Sequence, residues 1–207
     1  MHAGFAPSTV LMAEKLTEYL DNNLDLIPSN ITIDVITKAN PDSESPGSDY
    51  SGNLPGRLNS KQVDLNRNWD CDWKSEAIWS NRYVSGGSVP FSEPETIALR
   101  DLIIVSNETT VAVVFWEAKD NPASVSPGGC GTPSNLSNTL AKLYGEAAGY
   151  DIEPFEAYVV TGDATNWLDS QGIASISVLL PSYTDLDTGV FNANLEAVKQ
   201  ILIHYDR

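Results

Sequence analysis

The chain has 207 residues, 42% hydrophobic and 19% charged, which suits a folded protein with a sizeable core and excludes a disordered one. Its formal net charge is −16, from 12 Lys and Arg against 28 Asp and Glu. That balance excludes nucleic-acid binding by phosphate neutralisation and attraction to an anionic membrane surface. Self-association of so acidic a chain needs neutral patches, salt or a divalent cation. No run reaches the length of a transmembrane helix, so no membrane insertion is expected.

The N-terminal MHAGFAPSTV has no basic region followed by an apolar run, so no signal peptide is legible. A mature fragment whose signal has been removed is the alternative. Residues 8–22 place Val10, Leu11, Leu16, Tyr19 and Leu20 at helical spacing, with Pro7 and Ser8 suited to the first turn. Residues 31–37, ITIDVIT, alternate and are β-branched, which predicts a strand. Residues 38–60 read as a long Pro/Ser/Gly/Asn/Asp loop, of the length that is usually functional or mobile. The irregular stretch 63–92 carries Trp69, Trp73, Trp79 and Tyr83 and is expected to pack down.

Helices are predicted over 93–105, 134–148, 163–170 (capped by Asp163) and 191–205. The continuous apolar runs at 109–116 and 174–180 predict buried strands, and 157–160 a further strand. A Pro/Gly loop covers 119–132. Helices alternating with buried strands predict an α/β three-layer αβα fold with a mixed, mostly parallel sheet. Neither a repeat nor a linker divides the chain, so one domain over 1–207 is expected.

The two cysteines, Cys71 and Cys130, sit in loop contexts and are either free thiols or one disulfide. Loop cysteines in an oxidising compartment normally pair, which favours the disulfide. Glycosylation-type triplets begin at Asn30, Asn107 and Asn135; such triplets also arise by chance. Acidic and Lys-poor, the chain reads as extracellular.

The most informative segments are GRLN (56–59) and VDLNRNWD (63–70). Arg57, Asn66 and Arg67 in a rigid loop can clamp a carboxylate; a purely structural Asn/Arg turn is the alternative. Around them, in order, stand HAGF (2–5), NPD (40–42), VPFSEPET (89–96), SPGGC (126–130), YVVTGDATNW (158–167) and QGI (171–173). In these pieces the chain resembles the zinc metallocarboxypeptidases of the carboxypeptidase A-like family, in their bacterial secreted branch. The resemblance covers nearly the whole chain.

It implies a zinc held by two His and one Glu with an open position for water, and a glutamate as general base. Here His2 stands in place of the first ligand, but Phe5 and Ala6 occupy the positions open to the ligand Glu. Glu117 follows Phe115-Trp116 where the second His is expected, and Leu179 falls where the base is expected. The other histidine, His204, lies far along the chain. His2 with Glu117 makes a weak two-point site, so no zinc, no cofactor and no peptidase activity are expected.

On the substrate side, Asn66 and Arg67 match the pair that holds the substrate's terminal carboxylate. Arg57 matches the arginine that polarises the scissile carbonyl, Tyr158 the tyrosine that closes over the substrate, and Thr165 the side-chain pocket. The alternative is that they persist because their loops are structural. The resemblance also implies an interior strand running into the His element. Its absence before Met1 has three explanations: a longer native protein, a sheet closed up around the gap, or a strand added by a neighbouring chain. The leading expectation is a non-catalytic, self-associating structural subunit, a homo-oligomer up to a filament or tube. A binding module for peptide C-terminal carboxylates comes second, and an active carboxypeptidase with an unusual metal site third.

Overall fold

The computed structural model describes residues 1–44, 54, 56–105, 110–119 and 122–206. In chain order the elements are α1 (Pro7–Asp21), β1 (Glu76–Trp79), β2 (Arg82–Ser85), α2 (Pro94–Val105), β3 (Ala112–Ala118), β4 (Ser124–Pro127), α3 (Asn135–Ala148), β5 (Asp151–Ile152), α4 (Ala164–Ser170), β6 (Ala174–Leu180) and α5 (Thr188–Tyr205). The helix starts follow local chemistry. Ser134 accepts from the Ser137 amide, Asp163 from the Asn166 amide and Asp187 from the Val190 amide, each satisfying an orphan donor of the first turn.

The main sheet has the order β3-β6-β4-β5. Strand β6 runs parallel to β3 and antiparallel to β4, and β4 parallel to β5. Alternation along β6 sends Ala174, Ile176, Val178 and Leu180 into a core shared with α1, α3 and α5. On the opposite face, Val113 and Phe115 of β3 meet Leu99 and Ile103 of α2 and Ala164, Trp167 and Leu168 of α4. The fold is therefore three-layered, with a mixed sheet between two helical layers.

Residues 63–92 are packed down, as the tryptophans required. Trp69, Phe91 and Trp167 meet with ring centroids 5.1–5.5 Å apart, beside the Cys71–Cys130 disulfide. The stretch also contains the β1–β2 hairpin, and residues 119–132 contain β4, neither legible as a strand beforehand. The last helix begins earlier than expected, at Thr188. The triplet at 107–109 lies outside the described residues.

Two predicted strands need correction. Residues 157–160 form bends and coil, not a strand. Residues 31–37 are not a strand either, because they join no ladder among the described residues. Their side chains still alternate between half-buried and exposed, and Ile31, Ile33 and Val35 pack on the main core. The segment has the pattern of a strand and lacks its partner. Among the described residues strand β3 pairs only with β6, and all seven of its residues remain partly exposed. No helix among the described residues is long and apolar enough to cross a membrane.

Candidate ligand-binding site

The parallel register of β3 and β6 sets Glu117 directly beside Leu179 at the carboxyl ends of both strands, the end at which open α/β sheets place their ligands. Here opens a cavity of about 470 Å³, lined among others by Asn66, Arg67, Glu117, Tyr158, Asp163 and Leu179. The loop that carries Asn66 and Arg67 is built from short-range hydrogen bonds. Asp64 caps a single helical turn by accepting from the Asn66 amide at 3.0 Å. The Trp69 amide donates to the Gly162 carbonyl at 3.1 Å, and the Gly162 amide to the Cys71 carbonyl at 2.7 Å. Gly162 has φ +66°, and a Cβ there would stand 2.2 Å from the Arg67 carbonyl oxygen, so only glycine lets the two loops approach this closely.

Other residues of the sequence motifs serve the scaffold. Asn68 donates to the Gly86 and Val89 carbonyls and accepts from the Thr96 hydroxyl at 2.7 Å. Asn59 donates to Glu93 at 2.8 Å. The PFSEPET segment thus anchors the clamp loop and does not face the cavity.

Asn66 is fully committed. Its amide nitrogen donates to Glu117 Oε1 at 2.7 Å and to Asp163 Oδ2 at 2.9 Å, and its Oδ1 accepts from the Ala164 amide at 3.1 Å. Arg67 is buried and donates from Nε to the Ile78 carbonyl at 3.0 Å, from Nη1 to its neighbour's carbonyl, and from Nη2 to the Tyr158 hydroxyl at 3.3 Å. Burial followed by the charge of Asp163 pushes the Glu117 carboxyl above its ordinary range, against the pull of Arg57 and Arg67. Burial also raises the Tyr158 phenol.

Arg57 lies behind this cavity. It is ion-paired to the fully buried Asp64 at 2.8 Å, and its guanidinium covers the Trp79 ring at 4.5 Å. It lines a separate cleft of about 30 Å³ together with His2, Phe5 and Glu117. The structure therefore brings Asn66, Arg67, Tyr158 and Thr165 together around one cavity and sets Arg57 outside it. The link from Glu117 through Asn66 to Asp163 was not foreseen. Asp163 was read only as a helix cap, and no sequence spacing ties residues so far apart.

The metal positions do not fit a zinc ion. His2 is buried, with Nδ1 2.9 Å from the Arg57 carbonyl oxygen and Nε2 3.5 Å from Asp64. Burial and Arg57 hold its pKa well below the ordinary value. Phe5 turns its ring against Trp79 and Tyr183. Glu117 is engaged by Asn66, and Leu179 offers no donor atom. Among the described residues, the one cluster of three potential ligands is Cys71, Asp72 and Cys130, whose sulfurs are bonded to each other.

The sequence pattern of a family described as zinc carboxypeptidase matches residues 4–153. No curated protein matches. Among solved structures, murein-tripeptide amidase MpaA from Escherichia coli O157 is similar at 23% identity and TM-score 0.55, over 81% of this chain and 66% of that one. Carboxypeptidase A from Helicoverpa armigera is similar at 18% identity and TM-score 0.63, over 96% of this chain and 57% of that one. A metallo-carboxypeptidase from Burkholderia cenocepacia gives 18% identity and TM-score 0.50, over 83% and 43%. The chain thus spans 43–66% of the length of these relatives.

Proposed function

The chain belongs to the zinc carboxypeptidase family, and we propose that within it this is a non-catalytic member whose remaining cavity binds ligands through a free carboxylate. The observation that carries the reading is the pairing of a cavity of about 470 Å³ that keeps Arg67 and Tyr158 with metal and base positions filled by Phe5, Glu117 and Leu179. A peptidase of this type needs a Lewis acid and a base at the scissile carbonyl; Phe5 and Leu179 carry no donor atom, and the Glu117 carboxyl is engaged by Asn66. Calorimetry with a short peptide and its C-terminally amidated form tests the reading. The free peptide binds and the amide does not. Equal binding of both, stoichiometric zinc in the purified protein, or peptide hydrolysis overturns it.

A second reading, assembly as a structural subunit, is favoured by one observation. Among the described residues β3 pairs on a single side, and the strand-like 31–37 segment has no ladder. Unpaired backbone next to apolar side chains recruits an added strand. A neighbouring copy pairing there would make a homo-oligomer, with salt or cations screening the charge of −16. Light scattering behind size exclusion shows oligomers on this reading; a monomer at every protein and salt concentration eliminates it. The Cys71–Cys130 disulfide supports an extracellular setting.

A further inference from the structure

We infer that the cavity takes a free zwitterionic α-amino acid, its carboxylate on Arg67 and its ammonium against Glu117 and Asp163. The inference rests on the carboxylate-binding reading above and specifies the other half of the ligand.

The argument begins with Asn66. A primary amide has two N–H donors, and both are spent, one on Glu117 and one on Asp163. The opposite amide orientation would set its oxygen against two carboxylates, so the bonding fixes it. Asn66 therefore has no donor left for an incoming carboxylate. What this wall offers is two acceptor carboxyls. Arg67 has five N–H hydrogens and commits three, to Ile78, Asn66 and Tyr158. Two remain, enough for one carboxylate.

The charges around the cavity point the same way. Asp72, Glu117, Glu156 and Asp163 line it against the single cation Arg67. An anion entering alone would meet a net negative wall on a strongly acidic chain. A ligand that also carries a cation neutralises the acid pair, and a peptide's amide N–H does not. The free ammonium is what separates an amino acid from a peptide C-terminal residue.

A separate observation comes from the other wall. Ser126 is 4% exposed, and its hydroxyl has no hydrogen-bond partner among the described residues. It lines the same cavity as Thr165 and Ser177. A buried hydroxyl without a partner costs free energy until a polar group meets it. The ligand's side chain is therefore polar, and it completes this wall.

Calorimetry on the unmodified protein tests the inference with free L-amino acids spanning polar, basic, acidic and apolar side chains, each beside its N-acetyl form and its α-carboxamide. The expected result is binding of a polar free amino acid, weakened about tenfold or more by either cap, the size of one charge-assisted hydrogen bond. Glu117→Gln weakens the free amino acid by a similar factor and does not weaken the N-acetyl form. Equal affinity for free and N-acetyl forms overturns the inference and leaves the carboxylate reading standing. No binding of any form with a free carboxylate removes that reading as well.

Discussion

Asp64 is the residue on which the clamp loop turns. It is fully buried, caps the turn that carries Asn66, and pairs with Arg57. Burial alone would raise its pKa, but Arg57, His2 and Arg67 outweigh that and hold it at about 2. A carboxyl depressed in the folded state contributes stability above its unfolded pKa and loses it as pH falls through the folded one. The chain is therefore expected to lose on the order of 2 kcal/mol between about pH 4 and pH 2 from this group, measured by urea unfolding at stepped pH. Asp64→Asn leaves Arg57 buried without its counter-charge and is expected to cost about 3–5 kcal/mol at pH 7.

Glu117 behaves in the opposite sense. Its pKa is raised, so its contribution is present at low pH and lost as pH rises through the folded value. Glu117→Gln keeps an acceptor for Asn66 and removes a charge facing Asp163. The variant is expected to unfold at higher denaturant than the parent at pH 7 and to converge with it near pH 4, where the carboxyl is protonated; a pH-independent difference would refute this.

At the scale of elements, the disulfide and the unpaired strand matter most. Cys71 and Cys130 are 59 residues apart in sequence, and the bond ties the Trp69 loop to the segment after β4. Closing a loop of that length is worth about 4 kcal/mol by the chain-entropy account. Reductant, or a Cys71→Ser/Cys130→Ser pair, is expected to lower the denaturant midpoint accordingly. The unladdered amides at 32–37 are expected to exchange hydrogen quickly in the monomer and to become protected in any oligomer formed through β3. Absence of protection in an isolated oligomer would place its interface elsewhere.

At the scale of the molecule, the positions that the family resemblance matches to metal and base lie on separate elements, Phe5 before α1, Glu117 on β3 and Leu179 on β6; Glu117 lines the small cleft with Phe5 and the larger cavity with Leu179. Placing donors at Phe5 and Glu117 is a direct test of whether the scaffold supports a metal. Phe5→Glu with Glu117→His is expected to raise zinc uptake from background to one ion per chain, read by metal analysis. Failure of a folded variant to bind zinc would show that the backbone around His2 does not hold a metal geometry.

The sequence by itself determined the helices, whose caps and apolar spacing are local, and strands β3 and β6, whose apolar runs pack against both helical layers. Strand β6 is buried as expected, whereas β3 lies at the end of the described sheet and stays partly exposed. The residue identities at the motif positions, Phe5, Glu117 and Leu179, are likewise read from the sequence alone. Only the tertiary structure decided the strand assignments at 31–37 and 157–160, since a strand is defined by its partner and β-branched alternation says nothing about whether one exists. The β1–β2 hairpin and β4 were hidden for the complementary reason. They are short polar segments held by pairing, with no periodicity of their own. The cavity was decided at that level too. Asn66, Glu117 and Asp163 are far apart in sequence, and the hydrogen bonds among them form only when the strand ends and the Gly162 turn bring them together.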